Sequence, residues 1–227
     1  MTWNKYLLSI IMAVVIGLAI NVEAAVVTVV DNNAGTHNSI AIDHSSHVHI
    51  SYAVGGGFHF NNTDALKYAT NASGDWVITT VDSTSDVGGY SSIATDSSNK
   101  VHISYYDYTN QNLKYATNAS GNWVITTIDS DGDVGRYSSI AVDSQDKIHI
   151  CYYDATNQKL KYATNASGQW VKNSIQNADF NCFSSIATDS RDNVLISYLS
   201  GEDLRFVTNE NGNWVATIVD NNIADSS

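Results

Sequence analysis

Four copies of one stretch follow one another along this chain, and that self-similarity limits the fold more than any single residue does. From Tyr90 to Thr127 the stretch reads YSSIATDSSNKVHISYYDYTNQNLKYATNASGNWVITT. It returns from Tyr137 to Val171 as YSSIAVDSQDKIHICYYDATNQKLKYATNASGQWV, with looser copies from Asn38 to Thr80 and from Phe183 to Thr217. The anchors Tyr68, Tyr115, Tyr162 and Phe206 lie 47, 47 and 44 residues apart, as do Trp76, Trp123, Trp170 and Trp214. A repeat of that length predicts a solenoid, a propeller or an array rather than an irregular domain.

Each copy divides into four segments of the types SSIATD, VHISYY, LKYAT and WVITT. Val, Ile, Tyr, Trp and Thr dominate them, and these residues suit a pleated, half-buried surface. Between the segments lie Asp, Asn, Ser and Gly, whose side chains and backbones favour turns. Four strands per repeat predict an all-β propeller of about four four-stranded antiparallel blades, near 38–82, 90–129, 137–176 and 183–220. The longest link in the regular copies joins the fourth segment to the next first, as in DSTSDVGGY and DSDGDVGRY. A link from outer edge to centre makes SSIA the innermost strand. The fourth-to-first and second-to-third loops then share one face, the upper.

Residues 1–24 read as a secretory signal peptide: Lys5, an apolar run LLSIIMAVVIGLAI, and Val22 and Ala24 at the −3 and −1 positions of a cut before Ala25. The expected product, 25–227, is secreted, extracellular or periplasmic, and meets no membrane after cleavage. Its formal charge stays at −12, because Lys5 and Glu23 cancel. An acidic surface argues against nucleic acid as a partner. A glycan or an extracellular protein surface is the expected partner. The chain has no proline, and no internal linker divides it. Val26–Asp31 resembles the fourth strands and predicts an extra N-terminal strand there. The chain stops at Asp225-Ser-Ser, where another SSIA would fall due. Two readings follow, a surplus edge strand or an incomplete ring.

Several positions invite chemistry. His49, His102 and His149 align in the second segments and read as members of a structural hydrogen-bond network rather than a metal ring. Lys67, Lys114, Lys161 and Arg205 align in the third segments, and Asp43, Asp96, Asp143 and Asp189 after the first, which suggests recurrent pairing or solvated decoration. Asn71, Asn118 and Asn165 each open Asn-Ala-Ser, a glycosylation pattern that is also good turn chemistry. Asp129, Asp131 and Asp133 alternate as in the start of a calcium loop, against the plainer reading of an Asp/Gly turn. No other cofactor is expected. Cys151 and Cys182 sit where adjacent blades could bring them together, as a disulfide or as two buried thiols.

The upper face carries the candidate ligand site: Tyr106, Asp107, Tyr153 and Asp154, beside Asn110, Gln111, Asn157 and Gln158. Aromatic faces stack on sugar C–H groups, and the polar groups bond hydroxyls. The longer second-to-third loop of the first copy, AVGGGFHFNNTDA, adds Phe58 and Phe60.

The repeat YSSIAVDS…IHICYYD…LKYATN resembles those of exported bacterial proteins with sialidase-like or BNR-like β-propellers, over most of residues 26–220. For a sialidase the resemblance implies an arginine cluster, a Tyr/Glu nucleophile pair and S-x-D-x-G-x-T-W boxes. Arg136, Arg191 and Arg205 occupy non-equivalent repeat positions, Glu202 and Glu210 both fall in the last copy, and no such box is present. The expectation is a non-enzymatic binding or interaction module directed at glycans. The alternatives are a degenerate or fragmentary sialidase-like glycosidase and a purely structural surface repeat.

Overall fold

A computed structural model describes residues 28–32, 34–55, 64–180 and 182–221. Two compact units meet at Val30/Asp31 in the sequence. Of the first unit only Thr28, Val29 and Val30 are described, and they form no strand. The described part of the expected strand over 26–31 therefore lacks one. Val26, Val27 and the segment 1–24 lie outside the described residues, as do Phe58 and Phe60.

Among its described residues the second unit holds sixteen strands and no helix. They group into four antiparallel sheets: β1 Ser39–Ile42, β2 Val48–Val54, β3 Ala65–Thr70 and β4 Val77–Asp82; β5 Val87–Thr95, β6 Val101–Asp107, β7 Asn112–Thr117 and β8 Val124–Asp129; β9 Val134–Val142, β10 Ile148–Asp154, β11 Lys159–Thr164 and β12 Val171–Asn177; β13 Ser184–Thr188, β14 Val194–Ser200, β15 Asp203–Thr208 and β16 Val215–Asp220. Each sheet runs in sequence order, and the first strands pack side by side as β1, β5, β9, β13. This is the propeller expected from the repeat, with SSIA innermost and WVITT outermost. Among the described residues no comparable packing joins β13 back to β1. Ile40 accordingly stays 64% exposed, where its counterpart Ile93 is 6% exposed.

Among the described residues no backbone ladder crosses between sheets, and beside a few backbone bonds, such as Val134 N–H to Gln111 O, side chains join neighbouring blades. The two serines of SSIA divide that work. Ser91, Ser138 and Ser184 donate to the carbonyls of His37, Tyr90 and Tyr137, at 2.7, 3.0 and 3.1 Å. Ser39, Ser92 and Ser139 accept from the N–H groups of Ile93, Ile140 and Ile186 one blade on. A larger residue would hold the inner strands too far apart for either bond. Strands β6 and β10 are buried along their whole length, because successive side chains enter the interfaces with the two adjoining blades.

The aligned histidines are structural, as expected. His102 Nδ1 lies 2.6 Å from the Tyr115 hydroxyl and its Nε2 3.2 Å from Asp96. Asp143–His149–Tyr162 repeats the relay, and Asp43–His49–Tyr68 has the same members. The next blade's tryptophan closes each relay edge-on: Trp123 on Tyr68, Trp170 on Tyr115 and Trp214 on Tyr162, at 5.0–5.2 Å. The fourth blade replaces both ring partners, with Leu195 and Phe206. The Asn-Ala-Ser positions are turn chemistry: Asn71, Asn118 and Asn165 each accept a second-strand backbone N–H at 2.8 Å.

The aligned lysines do not pair with the aligned aspartates. Those aspartates bind turn amides and histidines, as Asp96 does with Ser98, Lys100 and His102. Lys114 and Lys161 instead reach Asp82 and Asp129 at the end of the previous blade's outer strand, at 2.7 and 2.5 Å. Tyr105 and Tyr152 donate to the same two carboxylates. These are buried interblade pairs rather than surface decoration. Asp31 receives Tyr52 and Lys67 in the same way, so it does what the last aspartate of a fourth strand does.

Cys151 and Cys182 are unbonded. Cys151 takes the place of Ser104, and its thiol donates to Ser184 Oγ at 3.2 Å. Burial pushes both thiols up to about 12.

Candidate functional site

The four upper-face residues singled out from the sequence are framework. Tyr106 and Tyr153 are each 1% exposed, and Asp107 and Asp154 each 2%. Tyr106 donates to Asp133 at 2.6 Å and lies beneath the Arg136 guanidinium, 5.5 Å from the ring centre. Burial, then the Asp133 carboxylate, raise its hydroxyl well above the ordinary tyrosine range. Asp107 and Asp154 cap their own hairpins, accepting the backbone N–H and side-chain amide of Asn110 and of Asn157. A strand residue two places from a turn points into the blade interface as readily as out of it, and here the interface takes it.

The calcium reading of DSDGD fails on where the carboxylates point. Asp129 is turned inward to Tyr152, Lys161 and Lys172, and Asp133 is forked by Arg136 at 2.6 and 3.1 Å. Asp131 contributes its backbone N–H to Asp129. Among the described residues no three acidic, histidine or cysteine side chains converge as a metal would need.

The accessible aromatic surface lies one position before each SSIA. His37, Tyr90, Tyr137 and Phe183 form a row along the upper half of the inner strands, with successive ring centres 4.5, 4.6 and 4.4 Å apart. Their planes are tilted by 53–57°. His37, Tyr90 and Tyr137 hold φ values of 57°, 51° and 56°, a left-handed conformation that costs a bulky residue strain. The conformation turns each ring toward the propeller axis while its carbonyl accepts the next blade's serine. Such strain persists where the surroundings over-determine it.

With Asn38, Ser91, Ser138 and Ser184 the row lines an open groove of about 290 Å³. Phe183 is 55% exposed, and Tyr90 and Tyr137 are half-buried. Burial, then the neighbouring Tyr90 hydroxyl, push Tyr137 up to about 12, so it stays a neutral phenol at physiological pH. The groove presents ring faces and hydroxyls. The signal in the sequence was the Tyr of Tyr-Ser-Ser, which the inner position of SSIA places at the axis.

No protein-family model matches the sequence, and no curated protein matches it. Solved structures do match in fold. The lectin of Aleuria aurantia, in complex with alpha-methyl-L-fucoside, superposes with a TM-score of 0.60 at 12% identity over 84% of this chain and 62% of its own. The NanB sialidase of Streptococcus pneumoniae gives 0.57 at 10% identity, over 87% of this chain and 54% of its own. A polysaccharide lyase, the PL25 ulvan lyase, gives 0.53 at 13% identity, over 82% of this chain and 57% of its own. This chain thus spans about 60% of the lectin's length or less of the others. The likeness is one of fold, a β-propeller architecture that a lectin, a sialidase and a lyase share.

Proposed function

We propose that this chain is a carbohydrate-binding propeller module, exported by residues 1–24, that holds neutral or weakly polar glycans without cleaving them. The observation that carries the reading is the axial row of His37, Tyr90, Tyr137 and Phe183, the first three of them held in a left-handed conformation. Tilted rings 4.4–4.6 Å apart offer a stepped apolar surface of the kind on which sugar C–H faces stack. The backbone holds the rings before any ligand arrives, so little ordering entropy is lost on binding. The lectin that shares the fold fits the same reading.

The glycosidase alternative needs two carboxylates flanking a bond. Asp82 and Asp129 are neutralised by lysines, and Asp107 and Asp154 are occupied as caps. Arg136, Arg191 and Arg205 pair separately with Asp133, Glu210 and Asp203 and form no cluster.

The test is a glycan array probed with the chain from Ala25 onward and with a Tyr90→Ala/Tyr137→Ala variant. The native chain should retain a subset of neutral glycans, and the variant should lose at least tenfold in affinity. Its melting midpoint should fall by no more than about 8 °C, since half-buried rings at left-handed positions contribute modestly. Equal retention by the variant, or no retention by the native chain, overturns the reading.

A further inference from the structure

One carboxylate fills the same interior position beside each of the first three blades. Asp31 accepts Tyr52 and Lys67 at 2.8 and 3.2 Å, Asp82 accepts Tyr105 and Lys114 at 2.7 Å each, and Asp129 accepts Tyr152 and Lys161 at 2.8 and 2.5 Å. Blade 4 keeps the donors, and the carboxylate is lost. Tyr198 stands opposite Arg205 in the β14/β15 register, as Tyr105 stands opposite Lys114. The residue that pairs with Leu160 is Gln176, where Leu66 and Leu113 pair with Asp82 and Asp129. Tyr198 is 1% exposed, and its hydroxyl makes no hydrogen bond of full geometry: the Arg205 guanidinium interacts with its oxygen but, being a donor only, leaves the O–H without an acceptor. Arg205 turns back to Asp203, with Nη2 2.8 Å from the carboxylate.

The same junction is also open. Between blades 1 and 2, and between 2 and 3, buried Val87 and Val134 and the glycines after them seal the space against Leu66 and Leu113. At the third junction Ala178 takes the valine's place, its N–H bonded to Gln158 O as that of Val134 is to Gln111 O. A polar cleft of about 370 Å³ lies beside Ala178 between blades 3 and 4, lined by Asn157, Gln158, Asn177, Asp179, Ser200 and Arg205.

We propose that this cleft binds a carboxylate-bearing sugar, a uronic acid or its glycoside, whose carboxylate takes the place between Tyr198 and Arg205 that the chain's own aspartate fills beside the other blades. The sugar half of the proposal rests on the carbohydrate reading above; the carboxylate half rests on the missing aspartate. Arg205 has five N–H donors in a fork and can serve a ligand carboxylate while keeping Asp203. The Tyr198 hydroxyl supplies a donor already stripped of water, so giving it an acceptor removes an existing penalty. The amides of Asn157, Gln158 and Asn177 line the wall where ring hydroxyls would lie. One other charge lines the cleft, Asp179, bonded to Ser200; Lys159, bonded to the lining residue Asn177, stands outside it. Asp179 opposes an anion placed at its own end of the cleft, which orients the carboxylate toward Arg205.

Calorimetric titration of the chain from Ala25 onward with methyl β-D-glucuronide, methyl β-D-glucoside and sodium acetate tests this. The glucuronide should bind at least tenfold more tightly than either of the others. Gln176→Asp restores the internal carboxylate, so it should raise the melting midpoint and weaken glucuronide binding at least tenfold. Tyr198→Phe removes a buried O–H that has no acceptor, so it should leave the midpoint nearly unchanged and still weaken binding. A glucuronide no tighter than the glucoside, acetate as tight as the glucuronide, or undiminished binding in Gln176→Asp overturns the proposal. Retention of neutral glycans alongside such a result would leave the carbohydrate reading standing; loss of both sugars would end it too.

Discussion

Replacing Asp82 with Asn tests the claim that buried interblade ion pairs, rather than backbone ladders, hold the blades together. The Asp82 side chain is fully buried and accepts Lys114 Nζ, the Tyr105 hydroxyl and the Thr84 hydroxyl, each at 2.7 Å. An asparagine keeps the shape and one oxygen but not the charge. Burial works against the carboxylate, yet Lys114, Tyr105 and Thr84 outweigh it and hold its pKa at about 2 against an ordinary 3.8. That difference corresponds to about 2 kcal/mol in favour of the folded state above pH 4. Breaking a buried pair from one side costs about 3–5 kcal/mol, because the partner is left uncompensated. Here Lys114 retains Asp107 at 3.7 Å, so the lower end is expected, about 2–3 kcal/mol. For a domain of about 200 residues that lowers the melting midpoint by roughly 4–12 °C at pH 7.

The pH dependence makes the argument specific. A carboxylate with a depressed pKa stabilises the fold above its unfolded value and loses that contribution as pH falls through its folded value. The gap between native and Asp82→Asn should therefore be full above pH 4 and close between pH 3.8 and about 2. Thermal melts followed by near-ultraviolet circular dichroism over that range measure it. A gap under about 1 kcal/mol at pH 7, or one that persists unchanged to pH 2, would refute the reasoning.

Two further outcomes follow from the packing. Tyr115→Phe and His102→Leu should each destabilise by about 1–2 kcal/mol, and the double variant by clearly less than the two together, because both break one 2.6 Å bond; additive losses in a double-mutant cycle would show the relay to be incidental. Gly135→Ala should cost well over 1 kcal/mol, since φ is 110° and an added Cβ would fall 2.7 Å from Leu113 Cα; a neutral result in denaturant unfolding would mean that the β9 link does not seal the second junction.

The repeat alone determined the class, the number of blades and the order of strands within them. Period-two strands with polar turns have few ways to bury both faces, and a long fourth-to-first link leaves only one edge for the axis. The structural role of the histidines and of Asn-Ala-Ser was legible for the same reason, since one such residue per blade at a fixed register does a repeated job. Which way individual side chains point was decided by tertiary structure. Tyr106 and Tyr90 are both tyrosines near upper-face loops, yet one bonds Asp133 in the interior and the other, turned by a left-handed backbone, lines the axis. Period-two alternation cannot predict a residue whose φ departs from the strand. The partners of Lys114 and Lys161 were hidden likewise, because their aspartates belong to the preceding copy and meet them only when two sheets pack. The vacancy at Tyr198 is a single change, Asp to Gln176, in an irregular link; only the neighbouring blade shows what that change removed.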